Sequence, residues 1–192
     1  MGYFKNIDFN NFRNFKLSSF NFDKSCNIIL GKNGSGKTNI LEAISLFERG
    51  RGFKKERVEN FINCNNRDFG FKIGSLFKNE NMNFEVKVFN SEKNLKNISV
   101  NNNKDKESIS HFESLFGIIF FVPEMERLFH ASPSLRRNFL DRLIFNQDKK
   151  YNITVNNYRK ALTERQLLLK NNNYDEDWIN KLESNICEYG FE

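Results

Sequence analysis

The 192-residue chain is expected to fold as an α/β protein, with a phosphate-loop lobe carrying an antiparallel β meander and then a helical lobe or arm. Three observations predict this. Gly31–Thr38 fits G-x-x-x-x-G-K-[ST] in full, with an apolar stretch before it and a helix-periodic stretch after it. Segments of period two recur between residues 69 and 100. Beyond Pro123 nearly every stretch reads at helical spacing.

The elements follow in chain order. Tyr3–Phe9 alternates as a strand, and Phe12–Phe22 reads as a second strand after a turn. Cys26–Leu30 is a short apolar strand ending at Gly31. Asn39–Arg49 reads as a helix, with Ile40, Ile44 and Phe47 on one face, Leu41 beside them and Gly50 as C-terminal cap. Phe69–Phe77, Asn83–Asn90 and Leu95–Val100 form the meander; in the middle strand Phe84, Val86 and Val88 alternate with Glu85, Lys87 and Phe89. His111–Phe116 is a short helix, and Ile118–Val122 a buried strand stopped by Pro123. Ser132 is placed to cap a helix with Pro133 at its first position and Leu135, Phe139 and Leu143 as its stripe. Asp141 stands four residues after Arg137, a spacing for intrahelical pairing. Val155, Tyr158, Leu162 and Leu169 give a longer helix a near-heptad seam. Asn63–Asn66, Asn101–Asn103 and Asn171–Asn173 read as loops. The domain boundaries expected are 1–122 for the phosphate-loop lobe and 123–192 for the helical lobe.

Composition excludes several classes. Three cysteines are too few for a disulfide scaffold, and 39% hydrophobic residues suffice for a packed core. Cys26, Cys64, Cys187 and two isolated histidines have no metal-binding spacing. No apolar run approaches the ~18 residues that span a bilayer. The N-terminus lacks a signal peptide's charged start and apolar core, and Asn6 stands where myristoylation wants Ser or Thr. A cytoplasmic, reducing setting is expected. The charge is +6, with 30 Lys+Arg against 24 Asp+Glu. Abundant Phe (22), Asn (31) and Lys beside only 3 Ala and 2 Pro follow A/T-rich codon usage. The basic balance is therefore weak evidence for an anionic partner, and clustered Arg is more informative than scattered Lys.

The phosphate loop has a specific physical basis. Glycines let the backbone fold around phosphates with N–H groups pointing inward, and the following helix presents its positive end to the same anion. Gly31, Lys32, Asn33, Gly34, Ser35, Gly36, Lys37 and Thr38 are the candidate binding residues. Lys37 supplies charge to the β/γ-phosphates, and Thr38 a hydroxyl to Mg²⁺. Hydrolysis also needs an acid at the end of an apolar strand. The nearest candidate is Glu124, after Ile118–Val122, but Pro123 intervenes and the usual Asp is missing. Glu124 is read as an auxiliary ligand or as a helix-start acid.

At this point the residues resemble the RecF family. The resemblance is carried in order by Asn11–Phe15, Gly31–Thr38, Asn39–Ile44, Gly50–Lys54, Val122–Leu128, Arg136–Arg142 and Tyr158–Leu169. It implies a head related to those of ABC ATPases and SMC proteins, which binds ATP with Mg²⁺, dimerises around it and holds DNA. It further implies recombinational repair and replication: binding single-stranded or gapped DNA and loading RecA together with RecO and RecR.

One departure accompanies the match. Family members are much longer, and the 192 residues contain neither the LSxGQ-type signature nor the acidic strand. The expectation is a truncated, N-terminal portion of a head, without robust ATP turnover of its own. An inactive fragment or a small phosphate-loop nucleotide kinase are the competing readings. By the resemblance Arg13 approaches nucleotide phosphates and Asn14 the base or ribose, against a plain solvated arginine in a turn. Arg51 and Lys54, and Arg136 and Arg137 with Arg142, are the candidates for DNA phosphates.

Overall fold

Alternation of apolar and polar side chains builds the first sheet. A computed structural model of the chain describes residues 2–48, 50–80, 82–91, 94–121, 132–170 and 175–191. Strands β1 (Tyr3–Phe12), β2 (Phe15–Asn21), β3 (Lys72–Lys78), β4 (Asn83–Asn90) and β5 (Lys96–Val100) form one antiparallel sheet in the order β2-β1-β3-β4-β5. The register places Ile7 and Phe9 of β1, Ile73 and Phe77 of β3, and Phe84, Val86 and Val88 of β4 on one buried face. A period-two segment presents one face, so a single burial event fixes the pairing of all its residues.

Helix α1 (Lys37–Ser45) and α2 (Lys106–Ser114) supply the opposing apolar surface through Ile40, Ala43 and Phe112, and Leu46 and Phe47 continue it past the end of α1. Nine phenylalanines are buried there. Phe9 stacks on Phe15 with centroids 4.7 Å apart, and Phe4 on Phe47 at 4.9 Å. Such pairs add about 0.5–1.5 kcal/mol each beyond their buried area. The core is thus made from the residue the composition supplies most freely.

A second device pins the loop between α1 and β3. Asn11 is buried with φ +55°, and its Nδ2 donates to the carbonyls of Asn66, Phe69 and Gly70. Its own carbonyl accepts from the Asn63 amide at 3.0 Å.

Residues 1–120 form one compact unit and 121–192 another. In the second, α3 (Pro133–Gln147), α4 (Lys149–Lys170) and α5 (Glu176–Phe191) follow in order. Helices α4 and α5 run antiparallel: Arg165 pairs with Glu183 at 2.7 Å, and Tyr158 lies against Gly190. Ala161, Ile179 and Leu182 are buried in that pair.

Several expectations need correction. Cys26–Leu30 is not a strand: Ile28 is 78% and Leu30 87% exposed, and no strand among the described residues runs alongside to supply ladder bonds. Residues 118–121 likewise belong to no strand ladder, with Phe121 75% exposed. Val122, Pro123 and Glu124 lie outside the described residues, as do Arg49 and the Asn171–Asn173 loop. Helix α1 begins and ends earlier than predicted. Its C-cap is Leu46, not Gly50, and the Ser45 hydroxyl donates back to the Glu42 carbonyl and accepts from the Phe53 amide. Helix α2 also starts earlier, at a cap where Asp105 accepts from the Ser108 amide at 2.7 Å.

Ser132 stands at the N-cap of α3, but its hydroxyl meets that of Ser134 at 2.9 Å instead of capping an amide. The α3 stripe is not a buried seam, since Leu135 is exposed and Phe139 and Leu143 are half-buried. Asp141 turns away from Arg137 and pairs with α4, accepting from Arg159 at 2.8 Å and Tyr151 at 3.0 Å. A long arginine reaching over from a neighbouring helix replaces the expected intrahelical pair.

Candidate functional site

The loop Gly31–Thr38 leads from the irregular segment 26–30 into α1. Gly34 (φ +81°) and Gly36 (φ +101°) take left-handed conformations that L side chains avoid. Gly36 is the N-cap of α1. A Cβ there would stand 2.6 Å from Asn14 Nδ2 and 2.8 Å from the Phe15 ring, so the position admits glycine on two counts. Helix α1 has neither a side-chain cap nor an acidic residue in its first turn. The positive helix end and its orphan N–H groups are therefore available to an anion.

Lys37, the first residue of α1, folds back over the loop. Its Nζ donates to the carbonyls of Gly31 at 2.7 Å and Lys32 at 2.9 Å. The ammonium is held at the mouth of the loop, where a phosphate would replace those carbonyls as its partner. Thr38 follows, exposed. Among the described residues no group of three or more His, Cys, Asp or Glu could hold a metal ion. Thr38 offers a cation its hydroxyl and no carboxylate, which suits a metal that takes its other ligands from phosphate and water. Lys32, Asn33, Gly34 and Ser35 are exposed around it.

The β1–β2 turn, Arg13-Asn14, packs beside the loop. Arg13 has φ +50°, and its guanidinium is not turned outward. Nε and Nη2 donate to both carboxylate oxygens of Glu42 at 2.9 and 2.8 Å, and the guanidinium lies 5.3 Å from the centroid of Phe61. Glu42 is fully buried. Asn14 also faces the protein: Nδ2 donates to the Ser35 carbonyl at 3.2 Å, and Oδ1 accepts from Asn39 Nδ2 at 2.8 Å. The structure thus sets Asn14 against the loop at Ser35 and Gly36, while Arg13 is bound to Glu42 further along α1. Glu42 and Asn39 are the partners that sequence reasoning missed. A lone carboxylate inside the otherwise uncharged run Ile40–Phe47 was the available signal.

The far end of α1 is tied down by Lys96. Its Nζ donates to the carbonyls of Leu46 (2.8 Å) and Glu48, while the Glu48 carboxylate accepts from the Ile118 amide at 2.7 Å. Burial pushes the Lys96 ammonium down to about 8, against the opposing pull of Glu113 and Glu48.

The candidate DNA contacts fall in both units. Arg51 and Lys54 are exposed in the turn after α1, where Lys54 Nζ lies 5.9 Å from the Phe53 ring centroid. Arg136 and Arg137 are exposed near the N-terminal end of α3. Among the described residues no helix is long and apolar enough to cross a membrane.

Residues 3–116 match the RecF/RecN/SMC N-terminal domain family. The chain is 33% identical over 190 residues to the DNA replication and repair protein RecF of Clostridium kluyveri, covering 98% of this chain and 51% of that protein. It is 31% identical to RecF of Rickettsia typhi, covering 94% of this chain and 49% of that protein. Among solved structures, the recombination mediator protein RecF with ATPrS, of the RecFOR pathway, superposes with a TM-score of 0.80 at 31% identity. That match covers 98% of this chain and 51% of that one. An Smc head domain from Pyrococcus yayanosii has a similar fold, with a TM-score of 0.58 at 18% identity over 89% of this chain and 37% of that one. The chain spans about half the length of the RecF relatives it matches.

Proposed function

The chain belongs to the RecF/RecN/SMC N-terminal domain family, and from that premise we propose that it is a RecF-like protein of DNA replication and repair that binds ATP at Gly31–Thr38. The observation that carries this reading is the loop itself: two left-handed glycines, an uncapped helix end and an ammonium held at its mouth. The solved RecF structures with ATP and ATPrS lend it support.

In this proposal the loop amides and the end of α1 bind the phosphates. Lys37 exchanges the Gly31 and Lys32 carbonyls for β/γ-oxygens, and Thr38 offers its hydroxyl to Mg²⁺. Arg13 keeps Glu42 as its partner and holds the turn in place. The 192 residues carry neither the signature nor the acidic strand. The proposal is therefore for binding, with turnover depending on groups this chain does not contain. Arg51, Lys54, Arg136 and Arg137 contact DNA phosphates, on single-stranded or gapped DNA. Cooperation with RecO and RecR in RecA loading, an ATP-dependent homodimer and a cytoplasmic setting complete the family reading.

Calorimetric titration with Mg-ATP tests the nucleotide half. Wild type should bind, and Lys37→Ala should lose at least roughly tenfold in affinity, the scale of one charged hydrogen-bonding partner. Absence of binding by the wild type refutes the reading. Fluorescence anisotropy with gapped DNA over a salt series tests the other half. Equal DNA affinity of wild type and Lys37→Ala, with and without ATP, would sink the coupling of the two.

A further inference from the structure

The turn that resembles a ligand contact is built as a brace. Asn14 does not point its amide away from the protein. Its Nδ2 donates to the Ser35 carbonyl, which can only accept, and this fixes the orientation of the amide. Oδ1 is then the acceptor, and Asn39 Nδ2 fills it at 2.8 Å. The same amide lies where a Cβ on Gly36 would stand, at 2.6 and 2.7 Å from its two polar atoms. Asn14 therefore touches the loop just before α1, the cap residue and the first turn of the helix.

The neighbouring side chain repeats the arrangement one turn along. Arg13 holds Glu42, three residues after Asn39, and residues three apart share a helix face. Two adjacent turn residues thus grip one face of α1 at two successive levels. The left-handed backbone at Arg13 is part of this grip. The orphan amides at the head of α1 bind an anion only if the loop and the helix keep their mutual geometry, and a displacement of ~1 Å forfeits much of such binding.

We infer that Asn14 is a positioning residue for the triphosphate, acting through the Ser35 carbonyl and Asn39 and making no contact with the ligand. The inference rests on the nucleotide-binding reading of the loop. It makes Asn39, a residue with no place in the phosphate-loop motif, a determinant of affinity. The effect is independent of the base, because the brace acts on the phosphate end alone.

The test is a double-mutant cycle of Asn14→Ala, Asn39→Ala and the pair, titrated in the 192-residue chain with Mg-ATP, Mg-GTP and Mg-tripolyphosphate. Each single variant should weaken all three ligands by a similar factor, roughly threefold to tenfold, the scale of a lost hydrogen bond. The double variant should be no worse than the poorer single one. Thermal unfolding midpoints should stay within about 2 °C, since the pair is exposed and surface changes cost little. Loss in Asn14→Ala with wild-type affinity in Asn39→Ala overturns the inference. Loss confined to ATP, with tripolyphosphate unaffected, also overturns it, because Asn14 then reads the base or ribose. A wild type that binds none of the three overturns the nucleotide reading and this inference together.

Discussion

Replacing Arg13 with alanine should destabilise the first unit far more than a surface substitution does. The wild-type guanidinium makes two charge-assisted bonds, at 2.9 and 2.8 Å, to a carboxylate with no exposed surface. Arg13 itself is only one-fifth exposed. Removing it leaves Glu42 buried and uncompensated, a situation that costs about 3–5 kcal/mol where both partners are buried. The partial exposure of Arg13 favours the lower end, about 3 kcal/mol, from which relief of the left-handed backbone at this position subtracts nothing, because alanine is no better suited to it. For a unit of this size that is a fall on the order of 10 °C in the unfolding midpoint. Removing both charges with Arg13→Met and Glu42→Leu should recover most of the loss, since a buried ion pair is often matched by apolar residues of similar volume. Urea denaturation followed by far-ultraviolet circular dichroism measures the four corners of the cycle. Amide hydrogen exchange in residues 37–47 localises the effect. A cost below about 0.5 kcal/mol for Arg13→Ala, the range of ordinary surface changes, would refute the assignment of Arg13 as the structural partner of Glu42. So would strictly additive single costs.

Two further outcomes follow from the same geometry. Gly36→Ala should abolish triphosphate binding and lower stability by on the order of 1–3 kcal/mol, through the strained φ and the overlap with Asn14 and Phe15; a well-folded variant with wild-type affinity, measured by calorimetry, contradicts this. Lys96 should titrate near 8, well below the other lysines, in an NMR titration of its side chain. The unfolded chain loses that proton only near 10.5. Between those values the unfolded state binds more protons than the folded one, so this group makes stability rise with pH from about 8 to about 10.5 and adds no slope below 8. A Lys96→Met variant should lack that rise, and an unshifted Lys96 resonance would disprove the burial effect.

The phosphate loop was legible because its physics is local. Glycine at Gly34 and Gly36, Lys37 and a helix start lie within eight residues, and no distant partner is needed to recognise them. The meander was legible for a similar reason, since Phe84, Val86 and Val88 declare their face by alternation alone. The two apolar runs at 26–30 and 118–121 misled because apolar composition reports what a segment could bury, whereas a strand exists only where a neighbour offers ladder bonds. The partners of Arg13 and Asn14 were illegible because they lie 29 and 25 residues away. A turn arginine and a solvated arginine read identically in one dimension. Asn11 was missed likewise: its three acceptors are main-chain carbonyls, which leave no mark in a sequence.

The phenylalanine-built core has a spectroscopic consequence. The chain has a single tryptophan, Trp178, and it belongs to α5 of the helical unit. The sheet unit that carries the loop contains no indole. Tryptophan emission therefore originates in the helices, and a flat trace on adding nucleotide is compatible with a filled loop as much as with an empty one. The stacked rings of Phe4, Phe9, Phe15 and Phe47 sit instead in fixed, asymmetric surroundings within the sheet unit. Most of the chain's phenylalanines lie in residues 1–120, so the vibronic phenylalanine bands expected in near-ultraviolet circular dichroism should report mainly on the unit that carries the phosphate loop.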